Sequence, residues 1–155
     1  MSTPGRVTEA DLAELVARMD EAAGAYVRGD IDRYLDLFGH ADDYTLMPPY
    51  GGETVHGYAD TPEHRAATRA FFAAGQASFD LARSYASGDL AVLVGVERQH
   101  AEVGELPDQD WSLRVTVVFR RVGDGWEIVH RHADPLVRTI PFDRCAQLAR
   151  GPDAP

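Results

Sequence analysis

The feature that most constrains this chain is a change of hydrophobic period near its middle. Up to about residue 75 the apolar residues recur at helical spacing; beyond it they alternate. Leu12, Leu15, Val16, Met19, Ala23, Tyr26 and Val27 fall on one stripe of an amphipathic helix. Thr8-Glu9-Ala10-Asp11 opens that helix as a capping box with Asp in the reciprocal position, and Gly29 stops it. Asp30 caps a second, short helix with Ile31, Tyr34, Leu35 and Phe38 on its inner side, ended by Gly39. Residues 44–47 read as a short strand, broken by Pro48-Pro49-Tyr50-Gly51-Gly52, with 53–58 returning as its hairpin partner. Thr61-Pro62-Glu63 has the cap, first-turn proline and acid of a third helix, which the pattern carries to about Gly75.

From residue 78 the period is two. Phe79, Leu81, Arg83 and Tyr85 form one alternating set, and long strands are predicted over 90–103, 111–122 and 126–134. Ser87-Gly88-Asp89, Pro107-Asp108-Gln109-Asp110 and Gly123-Asp124-Gly125 read as the turns between them. Pro135 ends the last strand, and residues 136–149 read as loop with one helical turn. Helices followed by a meander of strands imply an α+β fold, three N-terminal helices packed on a strongly curved antiparallel sheet. Such a sheet twists into a half-cone. One domain over 8–136 and a tail over 137–155 are expected, with 1–7 and 150–155 as frayed ends.

Charge narrows the function. There are 25 acidic residues against 15 basic ones, a net charge of −10. A nucleic-acid binder, or a protein seated on anionic lipid, needs the opposite sign. All 15 basic residues are arginine, so Schiff-base and pyridoxal-phosphate chemistry lack their lysine. One cysteine, Cys145, allows neither an internal disulfide nor a cysteine zinc cage, and no role is assigned to it. The first residues hold no apolar core of a signal peptide, and no apolar run is long enough to span a bilayer. A cytoplasmic protein without a cofactor is expected.

The last hairpin decides which side chains share a face. If Val122 pairs with Trp126, then Val118 faces His130, Thr116 faces His132 and Arg114 faces Asp134. One face then holds Arg114, Thr116, Val118, Arg120, Trp126, Ile128, His130, His132 and Asp134. The other holds Leu113, Val115, Val117, Phe119, Arg121, Glu127, Val129, Arg131 and Ala133, and is the one placed against the helices. Leu93, Gly95, Glu97, Gln99 and Ala101 join it, because Glu97 then meets Arg131 inside, whereas the opposite phase would bury Arg98. One β-bulge would reverse such an assignment.

Glu97 and Arg131 are therefore the first candidate pair. Arg131 can hold Glu97 ionised or anchor a ligand carboxylate or enolate, which suits proton transfer beside a carbonyl. The preferred reading is the plainer one, a buried structural ion pair or two solvent-facing charges. His64, in the first turn of the third helix, is a candidate base at the rim, where the helix end disfavours its charge. Tyr26, Tyr34, Tyr44, Phe72, Gln99, Val117 and Phe119 are the candidate lining, suited to an apolar or cyclic ligand. His130, His132 and Asp134 alternate on the outer face, either as a metal site or His–Asp relay or as a polar surface with Arg114 paired to Asp134; the surface reading is preferred and no metal site is assigned.

The chain resembles the nuclear transport factor 2-like superfamily, in particular its SnoaL-like branch. The resemblance is carried by Gly29-Asp30-Ile31-Asp32, Leu37-Phe38, Ala41-Asp42-Asp43, Gly57, Ser87-Gly88-Asp89-Leu90-Ala91, Arg114-Val115-Thr116 and, most specifically, the stretch Asp124-Gly125-Trp126-Glu127-Ile128-Val129-His130-Arg131-His132-Ala133-Asp134-Pro135. It implies a cone-shaped α+β barrel with a pocket between sheet and helices, and homodimers formed through the outer sheet face. The superfamily holds isomerases, dehydratases, cyclases and epoxide hydrolases, but also non-catalytic pocket and assembly domains. Laid on the steroid-isomerase pattern, the base position falls near Pro48 and the oxyanion tyrosine near Ala22, so those residues do not carry over. The resemblance implies cofactor-free acid–base chemistry, or a non-catalytic ligand-binding or assembly role.

Overall fold

A computed structural model describes residues 5–152. Its elements run α1 (Glu9–Val27), α2 (Ile31–Leu37), β1 (Gly39–Met47), β2 (Val55–His56), α3 (Pro62–Phe71), β3 (Phe72–Ser87), β4 (Leu90–Val103), β5 (Leu106–Asp110), β6 (Leu113–Val122), β7 (Gly125–Asp134) and α4 (Phe142–Arg150). The strands form one curved, open sheet in the order β2-β1-β7-β6-β4-β3, with β5 paired to β4. All pairings are antiparallel except β1 with β7. The three N-terminal helices and this sheet make the expected α+β, cone-like fold.

The helix signals work as their chemistry requires. Thr8 Oγ1 accepts from the Asp11 N–H at 3.1 Å, while Asp11 Oδ2 accepts from the Thr8 N–H at 2.7 Å. Asp30 and Thr61 accept from Arg33 and His64 at 3.2 and 3.1 Å. Gly29 adopts φ 79°, and a Cβ there would collide with the carbonyl of Phe72. Leu15, Met19 and Ala22 of α1 pack on Leu93, Val115, Val117 and Phe119 from the concave side of the sheet.

The phase of the sheet differs from the sequence reading in one half of β7. Val118 pairs with His130, but Phe119 pairs with Ile128 and Val122 with Gly125. Val129 is the extra residue of a β-bulge, so the side-chain alternation changes phase there. Arg131 and Ala133 stay on the concave face as expected. Trp126 and Ile128, placed outside by strict alternation, are buried in the core instead. The guanidinium of Arg121 lies 4.8 Å from the Trp126 ring and 2.6 Å from Asp11, tying the sheet to the start of α1.

Four other expectations change. The third helix ends at Phe71, not Gly75, because Gly75 lies so close to Val27 that the chain must already be extended there. Residues 107–110 are strand rather than turn; the chain reverses one step earlier, where Gly104 takes φ 61°. An unpaired Ala82 in β3 puts Arg83 and Tyr85 opposite Val94 and Val92 on the convex face, apart from Phe79 and Leu81. The single helical turn of the tail is a nine-residue helix, α4.

Gly95 marks where β3 and β4 meet most tightly. A Cβ there would collide with the Asp80 carbonyl and stand 2.7 Å from the Phe79 ring. Gly95→Ala should cost about 1–3 kcal/mol by overpacking, seen as a fall of several degrees in Tm; an unchanged melting curve would show that β3 yields freely.

Candidate functional site

On the concave face an ion pair between β4 and β7 sits among apolar side chains. Arg131 Nη1 and Nη2 donate to Glu97 Oε1 and Oε2 at 2.8 and 2.7 Å. The pair bridges β7 and β4 across the intervening β6. Glu97 is 4% exposed and the Arg131 side chain 21%. Burial alone would lower the pKa of Arg131, but the Glu97 charge and hydrogen bonds outweigh it and hold the guanidinium more firmly protonated than usual. With both carboxylate oxygens engaged, Glu97 is a bound counter-ion in this state.

Tyrosines surround the guanidinium. Tyr26, Tyr34 and Tyr44, from α1, α2 and β1, all feel its charge. Burial raises all three phenols: Tyr44 is pushed up to about 12 and Tyr34 well above its ordinary 10. They are hydrogen-bond donors at neutral pH, not phenolates. The Tyr26 ring packs at 5.1 Å from Tyr34 and 4.8 Å from Phe72.

Two residues that the sequence reading passed over complete the cluster. His40 stacks on Tyr58, with ring centroids 3.9 Å apart and an interplanar angle of 6°. Its Nε2 lies 3.4 Å from the Tyr34 hydroxyl. Burial lowers the His40 pKa from 6.5 to about 4, so the imidazole is neutral at pH 7. Tyr58, on the irregular segment before α3, has a buried hydroxyl with no hydrogen-bond partner among the described residues. His40 escaped notice because the expected strand began at residue 44, whereas β1 begins at Gly39 and has a register shift between His40 and Thr45. A histidine directly after the Gly39 helix stop was the available signal.

The other candidates lie as follows. His64 is half-buried at the start of α3, edge-on to Tyr58 at 5.2 Å, and is not hydrogen-bonded to Glu97 or Arg131. Val117 and Phe119 are fully buried in the apolar core, with Phe119 against Phe38. Gln99 donates from its side-chain amide to the Trp111 carbonyl at 3.0 Å, which holds it at the β5–β6 break. Asp134 accepts two hydrogen bonds from Arg114 at 2.8 and 2.9 Å, and His130 Nδ1 meets Thr45 Oγ1 at 2.7 Å. These pairings match a polar surface, and no metal-binding group of three His, Cys, Asp or Glu side chains forms among the described residues.

Among the concavities of the described residues are two open ones of about 440 and 550 Å3. The first is lined by Asp60, Thr61, Pro62, Arg65 and Arg69, the second mainly by residues of β3, β4 and the β5–β6 break. Neither is lined by Glu97, Arg131 or the tyrosines, whose rings pack against one another.

Residues 15–137 match the model of the SnoaL-like domain. The chain belongs to that family. Solved structures show the same fold. A candidate dehydratase of the NTF2-like family from Streptomyces avermitilis is 23% identical, with TM-score 0.66 over 84% of this chain and 99% of that one. The CaMKII hub homology domain of Chlamydomonas reinhardtii is 22% identical, with TM-score 0.58 over 79% and 96%. An NTF2-like protein of unknown function from Pseudomonas putida is 26% identical, with TM-score 0.57 over 84% and 89%. No curated protein matches the chain at a significant level. No described helix of this SnoaL-like chain is long and apolar enough to cross a membrane.

Removing one member of the buried pair strands the other. Glu97→Leu or Arg131→Met alone should cost about 3–5 kcal/mol, and the double variant should recover most of it; denaturant melts of the four proteins measure the coupling. His40 gives a pH signature. Its folded-state pKa is depressed, so the unfolded chain binds the extra proton first, and stability falls as pH drops from 6.5 towards about 4. His40→Asn should flatten that stretch of the stability–pH curve relative to the parent.

Proposed function

We propose that this SnoaL-like chain is a small-molecule domain whose ligand is recognised at Arg131, inside the ring of Tyr26, Tyr34 and Tyr44. The observation that carries the reading is the two-point Arg131–Glu97 pair set among buried phenols. A guanidinium fork fits any planar pair of oxygens. A ligand carboxylate or enolate can take the place of Glu97 on Arg131. Glu97, released from its counter-ion, has both carboxylate oxygens free to accept a proton from the carbon beside the ligand carbonyl. The phenols remain protonated and can donate to the oxygen on which charge develops. This is cofactor-free acid–base chemistry of the isomerisation, cyclisation or dehydration type on a small apolar or cyclic molecule, with His64 as a helper at the rim. Since the rings are packed, binding moves an aromatic side chain, and Tyr58 on its irregular segment is the one least constrained by secondary structure.

A second reading is a non-catalytic ligand-binding or dimeric assembly domain. It is favoured by the packed interior and by the likeness to CaMKII hub structures. In either case a homodimer through the convex sheet face, around Tyr85, Val92, Val94 and Val118, fits the resemblance.

Benzoate and cyclohexanone separate the two readings. Under the first, benzoate raises Tm saturably, and Glu97→Gln, which frees Arg131, binds benzoate at least tenfold more tightly. The parent also speeds deuterium exchange at the carbons beside the cyclohexanone carbonyl, and Glu97→Gln does not. An absence of saturable binding and of exchange would leave the assembly reading.

A further inference from the structure

The loop between β1 and β2 carries an aromatic ring that the packed interior does not use. Tyr50 is 89% exposed, although Pro48, two residues before it, is buried. The Pro48 carbonyl accepts the Gly51 N–H at 3.0 Å, which closes a β-turn with Pro49 and Tyr50 at its corner. The two sides of this tip differ in stiffness. Pro48 and Pro49 fix φ on the approach from β1. Gly51 and Gly52 take φ 86° and 97°, and among the described residues nothing beyond their chain neighbours comes within 4 Å of where a Cβ would stand. The chain after Tyr50 is therefore unpacked as well as free in its dihedral angles.

That loop leaves the sheet beside the inner site. Leu46 pairs with Arg131 in the parallel β1–β7 ladder and packs on the core from the concave side, and Met47, paired with His132, is the last residue before Pro48. The Arg131 side chain is 21% exposed against 5% for Glu97. A molecule arriving from solvent thus meets the guanidinium before the carboxylate. Tyr50 also stands close enough for its charge, when ionised, to bear on the Tyr26 phenol, as the charges of Arg131 and Glu97 do. The return of the loop is lightly held. β2 is two exposed residues, Val55 and His56, paired with Leu46 and Thr45, and the Gly57 N–H donates to the Tyr44 carbonyl at 2.7 Å. Tyr58 follows directly, so the ring that yields to a ligand and the ring at the loop tip belong to one short segment.

We infer that Tyr50 is the cover of the Arg131 site: with a ligand held on the guanidinium, the loop over 48–52 folds inward and lays the Tyr50 ring on the ligand's flat face. The inference rests on the reading of Arg131 as the ligand anchor, and it narrows the ligand to a carboxylate or enolate joined to a planar, aromatic or conjugated group. Two flat π-systems stack with a gain beyond the area they bury, whereas a puckered saturated ring offers no such face. A loop carried on a fixed strand and hinged at small residues is a common means of shutting a site from water. Shutting out water in turn strengthens the charged contact beneath the cover.

The test is calorimetric titration of benzoate and of cyclohexanecarboxylate into the full chain, both as the parent and with Glu97→Gln to free Arg131. Benzoate should bind at least fivefold more tightly than its saturated counterpart. Tyr50→Ala should abolish that preference and weaken benzoate at least fivefold, while its melting curve without ligand stays unchanged because the side chain is exposed. Tyr50→Phe keeps the ring and should bind as the parent does; a loss as large as that of Tyr50→Ala would assign the effect to the hydroxyl and overturn the stacking. In protein labelled with 3-fluorotyrosine, the Tyr50 signal is identified by its absence from Tyr50→Phe. At saturating benzoate it should shift and become protected from a soluble paramagnetic agent. Benzoate that binds without moving this signal, or that binds Tyr50→Ala equally well, overturns the cover and leaves Arg131 as the anchor. Benzoate that binds in neither background overturns the anchor, and the cover with it.

Discussion

A guanidinium and a carboxylate held together in an apolar interior set the conditions for everything around them. Each ion alone would lose several kcal/mol of hydration on burial. Together, with two hydrogen bonds in the plane of the fork, they are tolerated. That geometry fixes β4 and β7 relative to each other across β6. It also leaves the neighbouring phenols with raised pKa values and a positive centre among them. The stability of this interior draws on those bonds, and any group that replaced Glu97 on Arg131 would have to supply the negative charge and the two acceptor oxygens that Glu97 supplies.

The aromatic cluster has a division of labour. Tyr26, Tyr34 and Tyr44 belong to α1, α2 and β1, so their rings are positioned by regular structure. Tyr58, stacked on His40 of β1, lies on an irregular segment. Local opening is easiest where backbone hydrogen bonds are fewest. The same cluster is thus held by regular structure at Tyr26, Tyr34 and Tyr44 and by an irregular segment at Tyr58.

Much of this was legible in the residues. Capping boxes, a proline at a helix start and glycine stops are local devices, and Thr8, Asp30 and Thr61 act in the fold as their sequence positions imply. The concave phase of Glu97 and Arg131 was also legible, since burying them apart would leave two unpaired charges. What alternation could not reveal was Val129 as an unpaired residue, because a bulge is a property of two strands and not of one. Trp126 and Ile128 were misplaced for that reason. His40 was missed because β1 lies parallel to β7, a pairing between segments some ninety residues apart that no turn announces.

The bulge makes β7 two half-strands with separate addresses. Before Val129 the strand delivers bulk to the apolar core, through Trp126 and Ile128; after it the strand delivers Arg131 to Glu97. Substitutions in one half need not respect the packing rules of the other. A scaffold built this way can vary the residues around Arg131 while the packing of Trp126 and Ile128 stays as it was.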